Sequence, residues 1–197
     1  MAVSFAINCT PDSPASTGLM QMTSVLDPIR HRDLMANIDR FCETAGISQY
    51  YVAHSARGHC TLEELEWLQK FRAYRETHAG LVLTNPAKAD TRMMYMCGAL
   101  LRNYIDARMY PLNSVLKMAK ADELPEPTVL MIPNVYVAHG GSTKGIPAWE
   151  VQALYDILLE RFAKNKPTVM FIEDMNGMAQ AYGSVFADHI RSHYKIV

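Results

Sequence analysis

The chain has 197 residues, of which 49% are hydrophobic and 20% charged, and its formal net charge is −1. These values are ordinary for a globular protein, and a nearly neutral chain has no overall electrostatic reason to bind nucleic acid, a membrane or an acidic substrate. The sequence has no apolar run of about eighteen residues and no secretory signal at its start, so we expect a cytoplasmic protein without a membrane span. The four cysteines are irregularly spaced, and we interpret them as reduced thiols, mostly buried.

Residues 1–60 are predicted to form an N-terminal arm followed by a helical extension. The arm contains a short apolar piece, Val3–Ile7, and then prolines, serines and a glycine, a composition typical of a segment that orders on a partner. Asp27-Pro28 favours a helix that runs to about Ala45 and ends at Gly46.

Two cysteines and two histidines in this part of the chain raise the question of a zinc site. Cys42, His54, His59 and Cys60 are residue types that bind zinc, but their spacing matches no compact zinc motif. Structural or surface histidines are the better interpretation of the pattern.

From residue 61 onward, helical and strand patterns alternate. Thr61-x-x-Glu64 is a capping box that begins a helix ending near Gly80. Buried strands are predicted at 81–84, 128–132, 167–172 and 194–197, a weak strand at 111–115, helices at 91–108, 147–163 and 176–189, and a helix or loop at 117–124. Continuous apolar strands between helices indicate an α/β fold, with a five-stranded parallel sheet covered by helices on both faces.

The stretch after the first strand has the layout of a phosphate-binding loop, in which backbone amides and a helix N-terminus surround phosphate oxygens. Laying G-x-x-x-x-G-K-[ST] on residues 84–91 puts Thr84 and Ala89 at the glycines and Asp90 at the lysine, so that only Thr91 is kept. A carboxylate at the lysine position would repel a phosphate group. The remnant loop positions are Thr84, Asn85, Pro86, Lys88, Asp90 and Thr91.

Four stretches in order, 80–91, 128–134, 147–162 and 166–190, are similar to a known family, the DnaC/IstB-like AAA+ proteins. This family comprises bacterial replicative helicase loaders and the ATP-binding proteins that accompany insertion-sequence transposases. The resemblance covers about residues 61–197 and is carried best by Lys166-Pro167-Thr168-Val169-Met170-Phe171 followed by 178–190. It implies a P-loop NTPase core at 61–197, preceded by the extension at 1–60 and without the helical lid that would follow the last strand.

The resemblance also implies where nucleotide-site residues would lie, and the residues found there are of other types. The metal-binding acids fall on Pro133-Asn134, the γ-phosphate sensor near Ile172 or Glu173, and the arginine that reaches a neighbouring subunit at Val185. Losing the lysine and the metal acids together removes the positioning and charge neutralisation that phosphoryl transfer needs. We therefore predict a degenerate scaffold that is not an enzyme and binds no cofactor or metal.

These observations support three functional hypotheses. The first is a non-catalytic protein-binding component, encoded by a phage or other mobile element. It would act in DNA replication or transposition as a loader-like protein or an inhibitory mimic. Its partner would be a replicative helicase, an AAA+ ATPase or a replication or transposition complex.

The second hypothesis is a weak nucleotide- or metal-dependent enzyme with a remodelled pocket. Lys88, Asp90, Glu173 and Asp174 would lie near the carboxyl ends of the strands, where open α/β sheets bind ligands. The competing interpretation of Glu173-Asp174 is a loop that caps the helix starting near Asn176.

The third hypothesis is single-stranded DNA binding, which needs a basic groove with aromatic platforms. The candidate contacts to DNA, or to a protein partner, are Arg57, Arg72, Arg75 and Lys144. The competing interpretation is that the basic residues after Thr61 simply form the exposed face of their helix.

Overall fold

The computed structural model describes residues 24–137 and 145–197, so Val3–Ile7 and Lys144 lie outside the described residues. The N-terminal part is helical, with α1 (Arg32–Ala36), α2 (Ile38–Ala45), α3 (Gln49–Ala53), α4 (Leu62–Gln69) and α5 (Phe71–Thr77). The remainder alternates: β1 (Gly80–Leu83), α6 (Ala89–Arg102), β2 (Ala107–Met109), α7 (Leu112–Lys120), β3 (Val129–Tyr136), α8 (Ala148–Ala163), β4 (Thr168–Ile172), α9 (Met175–Tyr182), α10 (Ser184–His193) and β5 (Tyr194–Ile196).

The five strands form one parallel sheet in the order β2-β3-β4-β1-β5. Successive residues of each strand point to opposite faces, so Leu81 and Val169 pack among helices α1–α6, whereas Val82 and Met170 pack among α7–α10. Both faces are covered, and strands β1 and β4 are therefore buried along their whole length. The predicted α/β fold, a five-stranded parallel sheet with helices on both faces, is confirmed.

Two predicted elements around β2 are wrong. The helix predicted over 91–108 ends at Arg102, and the weak strand predicted over 111–115 is the first turn of α7, while β2 occupies 107–109. Pro111 immediately precedes α7, and the Leu112 amide donates to Asn134 Oδ1 at 2.8 Å. This cap comes from a distant strand, so the local sequence gives no sign of it.

Three predicted helices are each divided in two. The helix predicted over 28–45 is interrupted at Asn37, the helix from Thr61 at Lys70, and the helix over 176–189 at Gly183. Gly183 has a φ of 92°, which is outside the helical region.

The helical extension packs directly on the sheet layer through α3 and α6. A methyl group at Gly98 would lie 2.2 Å from the Tyr51 carbonyl oxygen, so the two backbones are in close contact. Arg102 Nη1 donates to the carbonyl oxygens of Tyr51, Val52 and His54 at 3.1, 2.7 and 2.9 Å. The division of the chain at residues 60/61 remains a prediction.

The described cysteines are held within the packed layers. Cys42 and Cys97 are buried, and Cys60 is partly buried. Burial raises the pKa of the Cys60 and Cys97 thiols to about 12, which keeps them protonated and poorly nucleophilic. None of the helices in the described segments is long and apolar enough to cross a membrane.

Candidate functional site

The candidate site is the loop of residues 84–88, which joins β1 to α6 at the carboxyl edge of the sheet. The Thr84 amide and hydroxyl both donate to the Val197 carbonyl oxygen, at 2.8 and 2.9 Å. The Ala87 amide donates to Asn85 Oδ1 at 2.9 Å. Lys88 is exposed, and its backbone is in the left-handed region with a φ of 53°. The loop therefore lies where the sequence predicts it, but its polar groups are engaged in holding its own shape.

The loop is folded around Arg92, whose side chain is only 5% exposed. The guanidinium donates to the carbonyl oxygens of Asn85, at 2.7 Å, and Ala87, while its Nε lies 2.9 Å from Glu64 Oε1. Phosphate-binding loops direct amide N–H groups at the anion. Here two loop carbonyls point at a cation that the protein itself supplies, and a carbonyl oxygen cannot donate a hydrogen bond to phosphate.

The Arg92 network also connects the loop to helix α4. Glu64 is fully buried, and its second oxygen accepts from the Thr61 amide at 2.9 Å in the predicted capping box, which is confirmed. Cys60 Sγ lies 3.6 Å from the Arg92 carbonyl oxygen. Sequence reasoning recognised the Thr61 and Glu64 cap but missed Arg92. The available signal was an arginine at the start of an apolar helical run, where a buried charge needs a partner.

The first turn of α6 carries the residues predicted as the remnant lysine and threonine positions. Asp90 is exposed, and Thr91 is partly buried. A carboxylate in the first helical turn interacts favourably with the positive end of the helix dipole. Asp90 therefore stabilises α6 at the position where a phosphate-binding loop carries its lysine.

The prediction that the third strand ends at Pro133-Asn134 is wrong. β3 continues to Tyr136, and its pairing with β4 shifts register between Ile132 and Tyr136. Pro133 lies in this irregular stretch, where its missing N–H is tolerated. Asn134 directs its side chain to the amide of Leu112 at the start of α7. Asn134, which the resemblance aligns with a metal-binding acid, thus caps helix α7 on the β2 side of the sheet.

The acidic pair at the end of β4 also has a structural role. The Glu173 amide donates to the Tyr136 carbonyl oxygen at 2.9 Å, and Asp174 Oδ1 accepts from the Asn176 amide at 2.9 Å as the N-cap of α9. The interpretation of Glu173-Asp174 as a capping loop is confirmed.

Ile172, at the sensor position, is fully buried, and Val185, at the inter-subunit arginine position, is 68% exposed on α10.

The possible zinc ligands make other contacts. His54 Nδ1 lies 2.7 Å from the Tyr50 carbonyl oxygen, and the His59 ring stacks on Tyr95 with 4.0 Å between ring centroids. Cys42 is buried in the core. In residues 24–137 and 145–197, no group of three or more His, Cys, Asp or Glu side chains is placed to hold a metal ion.

The predicted DNA or partner contacts separate in space. Arg72 and Arg75 line one groove with Lys70 and with Arg30, which sequence reasoning missed because it lies 40 residues earlier in the chain. Arg57 is exposed in the connection between α3 and α4 and does not line this groove. The groove lies between α4–α5 and the carboxyl end of α6, and its volume is about 980 Å³.

No known protein family matches the sequence, and no curated protein matches it. Among solved structures, the chain is similar to one titled "Crystal Structure of the DnaI", with 13% sequence identity over 77% of this chain and 93% of that chain and a TM-score of 0.49. This similarity is distant and concerns the fold.

Proposed function

We infer that the protein is a non-catalytic, nucleotide-independent protein-binding component that acts in the cytoplasm in DNA replication or transposition. The observation that carries this proposal is the Arg92 network. The loop that would bind phosphate is closed around an internal guanidinium, which holds the carbonyls of Asn85 and Ala87 and pairs with Glu64. Nucleotide binding would require these carbonyls to turn away and leave a buried cation short of partners, which is costly.

The other positions of a nucleotide site support the same proposal. Asn134 and Asp174 use their side-chain oxygens as helix caps, and Asp90 lies on an exposed helix turn. Since the loop carbonyls and the side chains of Asn134 and Asp174 serve structural roles, we infer that the protein acts through its surface. Binding to another protein is the simplest such action.

The replication or transposition setting follows from the sequence resemblance of residues 166–190 to helicase loaders and transposition ATP-binding proteins. Within that setting, the protein either acts as a loader-like component or inhibits by imitating one, and we place its gene on a phage or other mobile element. Its partner is a replicative helicase, an active AAA+ ATPase or a replication or transposition complex.

Isothermal titration with ATP and Mg²⁺ tests the nucleotide-independent part of the proposal. We expect no binding heat from the native protein, and none from the triple variant Thr84→Gly/Ala89→Gly/Asp90→Lys, which restores the loop residue types but leaves Arg92 in place. A wild-type dissociation constant of about 1 μM to 100 μM would contradict the proposal.

Co-elution tests the partner part. The purified protein is passed over a sizing column with the replicative helicase of its host, with and without ATP. A stable complex that forms equally well under both conditions supports the proposal. If the protein neither co-elutes with the helicase nor is captured by a replication or transposition complex, the proposal is contradicted.

A further inference from the structure

The groove between α4–α5 and the end of α6 carries a concentration of positive charge. Four cations line it: Arg30, Lys70, Arg72 and Arg75. No aspartate or glutamate belongs to the described residues that line it. Since the whole chain has a net charge of −1, this local excess of positive charge arises from placement and not from composition.

None of the three arginines of the groove forms an ion pair with a carboxylate in the described part of the chain, although the Asp27 carboxylate is close enough to interact with the charge of Arg30. Arg75 Nε donates to the Asn165 carbonyl oxygen at 2.7 Å, and Arg30 Nη2 donates to Asn103 Oδ1 at 3.2 Å. Each of these contacts uses one nitrogen of a five-donor group. Lys70 differs, because its ammonium lies 2.8 Å from Glu66 Oε1 and its charge is already balanced. The arginines are therefore the cations available to a ligand.

The lining of the groove is also apolar. Leu68 and Ile105 are partly buried, and Phe71 and Leu100 are buried, 6% and 2% exposed. A volume of about 980 Å³ is at the upper end of the range of ligand pockets and accommodates several side chains. Apolar lining with arginines around it is complementary to a segment that presents both apolar side chains and carboxylates.

An acidic peptide fits this surface better than a nucleic acid. Single strands bind through exposed aromatic rings on which bases stack. Phe71 is buried, and Tyr104, which is 57% exposed, donates its hydroxyl to the Arg30 carbonyl oxygen. One exposed ring is a poor stacking platform, whereas an amphipathic helix uses apolar anchors and charges together.

The protein's own undescribed segments do not have the required charge. Residues 1–23 contain a single acid, Asp12, and residues 138–144 contain none. Neither segment therefore supplies an acidic ligand.

We propose that this groove binds an acidic amphipathic segment of the protein partner, with carboxylates on Arg30, Arg72 and Arg75 and apolar side chains against Leu68 and Ile105. The inference rests on the proposed protein-binding function and specifies its docking site.

The probe is a fluorescent peptide of about 18 residues with leucines at i, i+3, i+4 and i+7 and glutamates on the other face, measured by anisotropy at low and physiological salt. A scrambled peptide of the same composition is the ligand control. Arg72→Glu/Arg75→Glu is the groove variant. Arg72→Glu alone is the second variant, because no hydrogen bond or ion pair holds the Arg72 side chain in the described residues. Arg191→Glu, at an exposed arginine of α10 outside the groove, is the matched control.

We expect the groove variants to weaken binding of the patterned peptide by about tenfold or more, with Arg191→Glu unchanged and the scrambled peptide bound weakly. Equal binding of both peptides, equal loss in Arg191→Glu, or no binding at all would overturn the inference. So would tighter binding of an oligothymidylate of about 20 nucleotides that the groove variants abolish, since the groove would then be a nucleic-acid site.

Partner co-elution separates this inference from the proposed function. If Arg72→Glu/Arg75→Glu still co-elutes with the helicase or other partner, the docking site is wrong and the protein-binding function stands. If the native protein co-elutes with no partner, the function itself is wrong.

Discussion

Arg92 determines what the loop after β1 can present to a ligand, because a single buried guanidinium holds two loop carbonyls and one carboxylate. A buried ion pair adds little net stability compared with an apolar pair, but removing one partner leaves a charge without compensation. Glu64 depends on Arg92 in the same way. One oxygen of its buried carboxylate accepts from Arg92 and the other from the Thr61 amide, so removing Arg92 leaves one oxygen without a partner.

A double-mutant cycle tests this dependence. Arg92→Met should lower the free energy of unfolding by about 3–5 kcal/mol, and the combined Glu64→Gln/Arg92→Met variant should cost less than the sum of the two single changes. Urea denaturation is the measurement. Lys70→Met, which breaks an exposed pair with Glu66, is the control and should leave stability nearly unchanged. Strict additivity would show that Arg92 and Glu64 are not coupled.

His189 links stability to pH. Its side chain is 7% exposed among aromatic rings, and its Nε2 has no hydrogen-bond partner in the described residues. Burial, with a smaller contribution from the charge of His193, lowers the pKa of His189 from its ordinary value of 6.5. The unfolded chain then binds the proton more tightly than the folded protein, so stability falls as the pH drops below 6.5 and the loss ends below the folded-state pKa.

We therefore expect His189→Phe to lose less stability than the native protein between pH values of about 7 and 5 in urea denaturation. His78→Phe, at the end of α5, is the control and should retain the native slope because His189 is still present. An unchanged slope in His189→Phe would contradict the assignment.

Helices α3 and α6 are in close backbone contact, and this contact depends on Gly98. Replacing glycine by alanine inside a helix normally stabilises it by about 1 kcal/mol. Here the new methyl group would meet the Tyr51 carbonyl, which belongs to the backbone and cannot rotate away.

Gly98→Ala should therefore destabilise the protein by about 1–3 kcal/mol in thermal or urea denaturation. Asn113→Ala, at an exposed position of α7, is the comparison and should be neutral or slightly stabilising. A stabilising effect of Gly98→Ala would show that the helices are further apart than described.

The end of β4 supplies a prediction about helix capping. Asp174→Ala should cost about 1 kcal/mol because the Asn176 amide loses its acceptor, whereas Asp174→Asn should cost much less, since asparagine caps equally well. Chemical denaturation measures both. A divalent-metal affinity that Asp174→Asn abolishes would instead favour the enzyme hypothesis.

Elements whose pattern is contained in their own residues could be predicted from the sequence: β1, β3, β4 and α8 carry an apolar run or stripe. β2 and α7 could not, because Asn134 caps α7 from 22 residues away. The candidate site divides in the same way. The loop position and the missing lysine at Asp90 are local features, whereas the Arg92–Glu64 pair joins residues 28 apart and depends on how α4 packs on α6.

At the scale of the whole molecule, the helical extension and the sheet layer share one core on the α6 side. Val52 of α3 and Ile47 lie in the same apolar cluster as Leu81 and Val169 of the sheet. A fragment of residues 61–197 would expose the face of α6 that α3 covers.

We expect this fragment to bind the dye ANS and to lack a cooperative thermal transition, which calorimetry would detect. Full-length protein measured alongside is the reference. A fragment that melts cooperatively near the temperature of the full-length protein would show that the division at 60/61 is a true domain boundary.

The three carbonyls at the end of α3 share a single nitrogen of Arg102. Because all three bonds come from one nitrogen of Arg102, a movement that lifts α3 from α6 breaks them together. The amides of α3 and of the second half of α6 should then exchange with deuterated solvent through a common opening, with the same free energy of protection, and not by separate fraying.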